Sequence, residues 1–155
     1  MSYVRSVLQP GEEVRHSAGL HWSLYAPGLL VCVLAGIIAM LRPDPSDHWV
    51  TNRTVVIVAW LCFAGGLLLL AQAWFRWWTT EIAVTNRRVI YKTGFIRRNT
   101  TEMHMDKVES VDVKQSILGR ILNYGDVEIR GVGTGFEPLR RIDAPLELRN
   151  HITAV

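Results

Sequence analysis

The chain has 155 residues and a formal net charge of +3. This length leaves room for about one compact domain, since typical domains hold roughly 100–150 residues. Much of its hydrophobic content lies in two uncharged blocks, 24–41 and 55–75, and is not spread along the chain. One cysteine lies in each block, Cys32 and Cys62, and this placement argues against a secreted disulfide framework or a cysteine-based metal site.

The two blocks have the length of membrane spans. They hold 18 and 21 residues without a charge, and as helices at ~1.5 Å per residue they would be about 27 and 31 Å long, close to the ~30 Å hydrocarbon thickness. Buried helices of a soluble protein are the alternative, but such helices usually carry a polar stripe, which both blocks lack. A cleaved signal peptide fits poorly, because the first block begins more than twenty residues in and has no small-residue cleavage site.

Aromatic residues mark the ends of both blocks. Amphipathic tryptophan rings favour the headgroup layer of a bilayer. The sequence therefore predicts a set of interfacial aromatic residues, namely Trp22, Trp49, Trp74, Trp77 and Trp78.

The segment 42–54 connects the blocks, and its two prolines and short polar residues are typical of a loop. We therefore predict an antiparallel transmembrane hairpin over residues 21–78, with helices at about 24–41 and 55–75. The loop carries two basic residues and the segment 76–92 carries four, and basic residues favour the cytoplasmic side. Both termini are thus expected in the cytoplasm, with residues 1–20 forming an N-terminal cytoplasmic arm.

Residues 79–155 change to a period of two, which indicates strands. A β-hairpin is predicted first, with apolar Ile82, Val84, Val89 and Tyr91 on either side of a turn at 85–88. Four further strands are predicted near 95–104, 107–114, 126–132 and 137–143. The plan is a small, mainly-β barrel or sandwich.

Two short helices are predicted within this domain. Ser116 is placed to cap a helical turn that Gly125 ends, and its apolar residues share one face: Ile117, Leu118, Ile121 and Leu122. A C-terminal helix follows, with Asp143 as its cap and Pro145 in its first turn.

Several segments together resemble a known family. The order "AVTNRRVIYKTGFIRR", "MDKVESVDVKQSILGRILNYGDVEIRG" and "IDAPLELRNHI", after an early "LQPGEEV" and two membrane helices, looks like the bacterial pleckstrin-homology-like membrane proteins of the YdbS type. The resemblance implies a pleckstrin-homology-like fold with seven strands in two packed antiparallel sheets and a C-terminal helix. Six strands are readable from the residues, so the seventh is expected from the resemblance alone. The implied location is the bacterial inner membrane.

Residue patterns for catalysis are missing from the sequence. His104 and His151 each stand alone, and the acids Asp106, Glu109 and Asp112 cannot be shown to converge. The glycine-rich segment 131–135 lacks the Gly-Lys-Ser/Thr continuation of a phosphate-binding loop. We therefore expect no enzymatic activity, no metal or cofactor, no small-molecule substrate and no nucleic-acid partner.

Positive charge is concentrated beside the predicted membrane exit. Residues 76–98 carry six basic residues against one acid, whereas residues 99–155 carry seven against nine. An ordinary topology signal explains this equally well. If the first strand left the bilayer steeply, the 86–88 turn would lie roughly 20 Å from the bilayer, beyond the Debye length of ~8 Å. The strand after the turn would then run back toward the headgroups. The hypothesised headgroup-binding set is then Arg76, Lys92, Arg97 and Arg98, each contributing on the order of 1 kcal/mol with anionic lipid.

The leading functional hypothesis is a non-enzymatic membrane protein whose cytoplasmic domain is a scaffolding or assembly surface, and which self-associates or binds another membrane protein. Glycines at 28, 36, 65 and 66 would allow close helix packing. The alternative is a module that senses anionic lipid at the inner leaflet. The four-residue turn at 85–88 argues against specific phosphoinositide binding, for which eukaryotic relatives of the fold use a longer basic loop. An enzyme acting on a lipid or peptide is the least favoured reading.

Overall fold

The structure is a computed structural model that describes residue 4 and the ranges 7–41, 49–94, 99–132 and 138–153. The chain divides into two compact units. One, the β domain, combines Met1–His21 with Arg76–Val155, and the other, the helical unit, comprises Trp22–Phe75. The chain therefore leaves the β domain once and returns to it.

The helical unit is built from two long apolar helices. A 3-10 turn at Trp22–Tyr25 leads into α1 (Ala26–Met40), whose first turn contains Pro27, and α2 spans Trp49–Thr79. The stretches Trp22–Met40 and Arg53–Thr79 are long and apolar enough to cross a membrane, and only 17% and 11% of their apolar windows are buried. This exposure argues against the core of a soluble protein and leaves two candidate membrane spans.

The helices of this unit approach each other closely at two glycines. A Cβ atom on Gly66 would lie 2.5 Å from Cys32 Sγ, and one on Gly28 would lie 2.8 Å from the side chain of Leu70. The start of α1 thus packs on the second half of α2, as in an antiparallel pair. A Cβ atom on Gly36 or Gly65 would meet nothing within 4 Å, so these two glycines do not take part in the contact.

The β domain contains two antiparallel sheets. The first has the order β1-β2-β3-β4, and the second has the order β5-β6-β7. The strands are β1 (Val14–Ala18), β2 (Glu81–Thr85), β3 (Arg88–Thr93), β4 (Asn99–His104), β5 (Val108–Lys114), β6 (Tyr124–Gly131) and β7 (Leu139–Asp143). A 3-10 turn at Met105–Lys107 joins the sheets, α3 (Ile117–Ile121) connects β5 to β6, and α4 (Pro145–Thr153) follows β7. The architecture confirms the pleckstrin-homology-like fold.

The larger of the two hydrophobic clusters among the described residues lies between the two sheets and under α4. Both sheets contribute residues that are almost fully buried, as does the inner face of the helix, where Leu148 is 0% and Ile152 4% exposed. The strand members of this core are Ala18, Ile82, Val84, Val89, Val127, Ile129, Leu139 and Ile142. The period of two seen in the sequence therefore corresponds to alternating inward and outward side chains.

The seventh strand comes from the segment that sequence analysis assigned to an N-terminal arm. β1 pairs antiparallel with β2, with Ala18 opposite Ile82 and Ser17 opposite Ala83. Only Ala18 of its five residues is buried, so the segment lacks the alternating apolar residues by which strands are recognised. The two long helices are consequently inserted between neighbouring strands of one sheet.

The observed bounds differ from the predicted ones at several element ends. α2 is longer than its uncharged block at both ends, β4 begins at Asn99 with residues 95–98 outside the described part, and residue 137 before β7 is also outside it. The Ser116 cap is confirmed, because its Oγ accepts a hydrogen bond from Gly119 N at 3.0 Å. The left-handed residue after α3 is Asn123, with φ of 56°, rather than Gly125. Ala144 O, one residue after the predicted cap Asp143, accepts the first amide hydrogen bonds of α4.

Candidate functional site

The β domain has one end at which the chain leaves for the two long helices and returns from them, formed by residues 18–21 and 76–81; we call it the hairpin end. This end is fixed to β7. Leu20 forms an isolated bridge with Ile142, and His21 N donates to Arg141 O at 2.8 Å. Trp77 Nε1 donates in turn to Leu20 O at 3.1 Å. Both chain connections are therefore held at the same strand ends.

Two residues of the predicted headgroup set lie at the hairpin end. Arg76 is exposed in the last turn of α2. Lys92 is half-buried near the end of β3, where its Cα partner is Glu81 at the start of β2. Arg97 and Arg98 lie outside the described residues, between β3 and β4. The described part of the set thus shares one end of the domain.

The predicted interfacial tryptophans lie near the ends of the two long helices. Trp77 and Trp78, in the β domain, are 49% and 58% exposed. Trp22 and Trp74, in the helical unit, are 56% and 57% exposed. The side chain of Trp49 is outside the described residues. Exposed indole rings at helix ends have the chemical character of a bilayer interface.

Arg88, which sequence analysis counted in the basic region, is buried at the opposite end of the domain. We call this the far end; it contains the turn 85–88 and Met105–Lys107. The guanidinium donates through Nε and Nη2 to Glu12 Oε1 and Oε2 at 2.9 and 2.8 Å, and through Nη1 to Glu102 Oε2 at 2.8 Å. Its side chain is 9% exposed. The charge of Arg88 is therefore used inside the protein.

Glu12 is the counterpart of Arg88, and its side chain is 1% exposed. Its carboxylate also accepts hydrogen bonds from Gln9 N at 2.9 Å and Thr85 Oγ1 at 2.8 Å. Burial raises the pKa of the Glu12 carboxyl, but the hydrogen bonds from Arg88, Gln9 and Thr85 outweigh it and lower the pKa to about 2. The carboxylate is charged and fully paired at neutral pH.

A turn at the start of the chain makes this ion pair possible. Gly11 has a φ of 78°, and Glu12 N donates to Gln9 O at 2.9 Å, which is the geometry of a tight turn with Pro10 before the glycine. Asn86 joins this turn to the β2–β3 turn, because its backbone N donates to Glu13 O at 3.1 Å and its Nδ2 to Gly11 O at 3.2 Å. The segments "LQPGEEV" and "TNRR" are therefore joined by hydrogen bonds and by the Glu12–Arg88 ion pair. Their polar residues gave no sequence signal of this contact.

The far end also carries an open groove of about 670 Å³ between β5, the 86–87 turn and the end of α4. His104, Asp106 and Glu109 line it together, a convergence that the sequence did not establish. Within the described ranges, no group of three or more His, Cys, Asp or Glu side chains is arranged to hold a metal ion. His151 lies apart and stacks on His16 with ring centroids 4.4 Å apart.

These features define a class: a two-sheet β domain with a C-terminal helix, into which two helices with the length and composition of membrane spans are inserted. The family comparison agrees with this class, since the family model of the bacterial PH domain matches residues 27–155. The chain belongs to the bacterial PH domain family. The match begins after β1 and Glu12. No curated protein and no solved structure matches the chain.

Proposed function

We propose that this protein is a non-enzymatic integral protein of the bacterial inner membrane that self-associates and whose PH-like domain is a scaffolding or assembly surface. The observation that carries the proposal is the insertion of the two long helices between β1 and β2. A domain attached by two chain connections has less orientational freedom than one attached by a single linker. Every copy would therefore present similar surfaces along the membrane, which favours repeated contacts between copies.

The pairing of β1 with β2 also supports the proposed topology. Because residues 14–18 and 81–85 belong to one sheet, the segments before and after the helices must lie on one side of the membrane. Two spans satisfy this requirement. The basic residues that follow the second span favour the cytoplasm as that side.

Two surfaces of the described residues suit contacts between proteins. The groove at the far end is open and mixes charged residues with Met105 and Val108. In the helical unit, a Cβ atom on Gly36 or Gly65 would meet nothing within 4 Å, and Gly36 lines an apolar cleft with Ala59 and Phe63 of α2. The missing side chains allow the backbone of another helix to approach closely. We assign self-association to this second surface.

Self-association is tested on the full-length protein in lipid nanodiscs and by crosslinking in native membranes. We expect crosslinked oligomers, and we expect Gly36→Leu and Gly65→Leu to reduce them. Ala71→Leu is the matched control, because it adds similar bulk at an exposed position of α2. A protein that is monomeric in nanodiscs and gives no crosslinks in membranes would refute self-association.

A second candidate function is sensing of anionic lipid, and the shared location of Arg76 and Lys92 at the hairpin end favours it. The test compares full-length protein with a variant in which Arg76, Lys92, Arg97 and Arg98 are all changed to Gln. Native mass spectrometry after extraction from mixed membranes reports the bound lipids. We expect the wild type to retain anionic lipids and the variant to lose this preference; equal lipid profiles would remove the sensing hypothesis.

A further inference from the structure

The helix α3 exposes apolar side chains that soluble domains ordinarily bury. Ile117, Leu118 and Ile121 are 81%, 64% and 73% exposed, and Leu122 directly after the helix is 39% exposed. Within the described part of the β domain, nine large apolar residues are exposed, and four of them lie in these six consecutive positions. Single exposed apolar residues are normal, but a contiguous group marks an interaction surface.

The outward orientation of these residues is built into the contact between α3 and the domain. The residue that faces the domain is Gly119, which is buried, and a Cβ on it would lie 2.6 Å from Tyr124 O. Gln115 Nε2 donates to the same carbonyl at 3.2 Å, and Ser116 caps the first turn. The helix therefore packs through its smallest residue and turns its largest apolar residues outward, the reverse of an ordinary surface helix.

Contacts within the β domain place α3 at the hairpin end. The ring of Tyr124, which follows α3, stacks on the ring of His21 at a centroid distance of 5.0 Å. His21 is the last residue before the helical unit, and its backbone N is bonded to Arg141 O. Trp77, beside the returning connection, bonds to Leu20 O. The exposed apolar group and both chain connections thus share one end of the domain.

From this placement we infer that α3 is a third membrane contact, in which Ile117, Leu118, Ile121 and Leu122 insert into the boundary between headgroups and acyl chains. The inference rests on the membrane-spanning part of the proposed function, not on self-association. The bilayer is the occupant because the patch lies at the same end of the domain as the chain connections to the spans and the exposed Trp77 and Trp78. Arg120 on the same helix is exposed and suits the phosphate layer.

The membrane contact proposed for α3 is apolar, whereas the hypothesised headgroup set would bind lipid through positive charge. Insertion depends on apolar area, so it persists in neutral phosphatidylcholine and at high salt, where attraction between surface charges is screened. The domain would be held against the bilayer by α3 in addition to its two chain connections. Its orientation would then be fixed at three points.

The test measures the depth of single labelled positions in full-length protein reconstituted into phosphatidylcholine nanodiscs. Cys32 and Cys62 are changed to Ala, and one cysteine is introduced by Ile117→Cys or Ile121→Cys and labelled with an environment-sensitive fluorophore. Lipids carrying a nitroxide at a shallow acyl position serve as quenchers. Val132→Cys is the matched control, since Val132 is an apolar residue that is 68% exposed at the far end, where its N bonds to Lys107 O. Leu30→Cys in α1 reports the span itself.

We expect labels at 117 and 121 to be quenched at least about fivefold more strongly than the label at 132, because insertion reaches ~5–10 Å into the interface. Quenching at Leu30→Cys with none at 117 and 121 would overturn the inference while keeping the membrane spans. A label at 117 that is shielded from water but not quenched by lipid would mean that a protein covers α3, and this also overturns it. No quenching at Leu30→Cys would overturn the membrane assignment as well.

A second variant tests the apolar contribution directly. Ile117→Glu with Ile121→Glu leaves the packed face of α3 unchanged, and we expect it to return the quenching of a Leu118→Cys label to the level at 132. Val132→Glu is the control and should change nothing. Undiminished quenching in the double variant would contradict insertion through these side chains.

Discussion

Acidification should destabilise the β domain through one buried carboxyl, that of Glu12. Its pKa falls from an ordinary 4.5 to about 2 in the folded chain, because the hydrogen bonds from Arg88, Gln9 and Thr85 outweigh burial. A carboxyl whose folded pKa is depressed stabilises the protein above its unfolded pKa, and this contribution disappears as the pH falls through the folded value. The window therefore runs from about pH 4.5 down to about pH 2.

The expected size follows from the shift of the pKa. A difference of about 2.5 units at 1.36 kcal/mol per unit corresponds to about 3 kcal/mol of unfolding free energy. The side chains of Glu12 and Arg88 are 1% and 9% exposed, so solvent screening removes little of it. Glu12→Gln should lose a similar amount at pH 7, on the order of 3 kcal/mol, because Arg88 remains buried with Glu102 as its one remaining carboxylate partner.

The assay is denaturant unfolding of the full-length protein in a non-ionic detergent, followed by near-ultraviolet circular dichroism at a series of pH values. We expect the free energy of unfolding of the wild type to fall between pH 5 and pH 2 more steeply than that of Glu12→Gln. Glu13→Gln is the matched control, since Glu13 is exposed and only its backbone is bonded to Asn86. Parallel pH curves for the wild type and Glu12→Gln, or equal stability at pH 7, would refute the reasoning.

Three further predictions follow from the fold. A fragment of residues 76–155 lacks β1 and Glu12, so its amide NMR spectrum should be poorly dispersed. A chain in which a flexible linker replaces residues 22–75 keeps both and should give a dispersed spectrum. Equal spectra would contradict the role of β1. Gly66→Leu should lower the free energy of unfolding in detergent by about 1–3 kcal/mol, as overpacking does, and Gly65→Leu should not, because of these two glycines it is Gly66 that contacts the other helix. Ser116→Ala removes the cap of α3 and should cost about 1 kcal/mol locally, seen as faster hydrogen exchange at Gly119 N; unchanged exchange would argue against the cap.

Some features were predictable from the sequence because their causes are local. The two candidate spans follow from uncharged stretches of 18 and 21 residues, and no tertiary contact is needed to recognise them. The β2–β3 hairpin follows from alternation around a four-residue turn, and the cap of α3 from one serine. The predicted positions of Arg76 and Lys92 at one end of the domain follow from strand direction alone.

The contacts that position β1 depend on residues far apart in the chain. Glu12 and Arg88 are separated by 76 positions, and neither carries a pattern that distinguishes a buried ion pair from two surface charges. A count of charges by segment therefore groups Arg88 with the exposed basic residues although it lies inside the domain. The strand β1 has no sequence signal for the same reason, since its one buried residue becomes part of the core only when β2 lies beside it.

The sequence by itself determined that one part of this protein forms long apolar helices and the other forms β-strands. Both signals, the length of an uncharged stretch and the period of an apolar pattern, depend only on neighbouring residues. Tertiary structure decided how those parts are connected. The pairing of β1 with β2 makes the helices an insertion in the domain, and the contact of Gly119 with Tyr124 turns the apolar residues of α3 outward. Both outcomes depend on which surfaces meet, and a linear pattern contains no information about its partner surface.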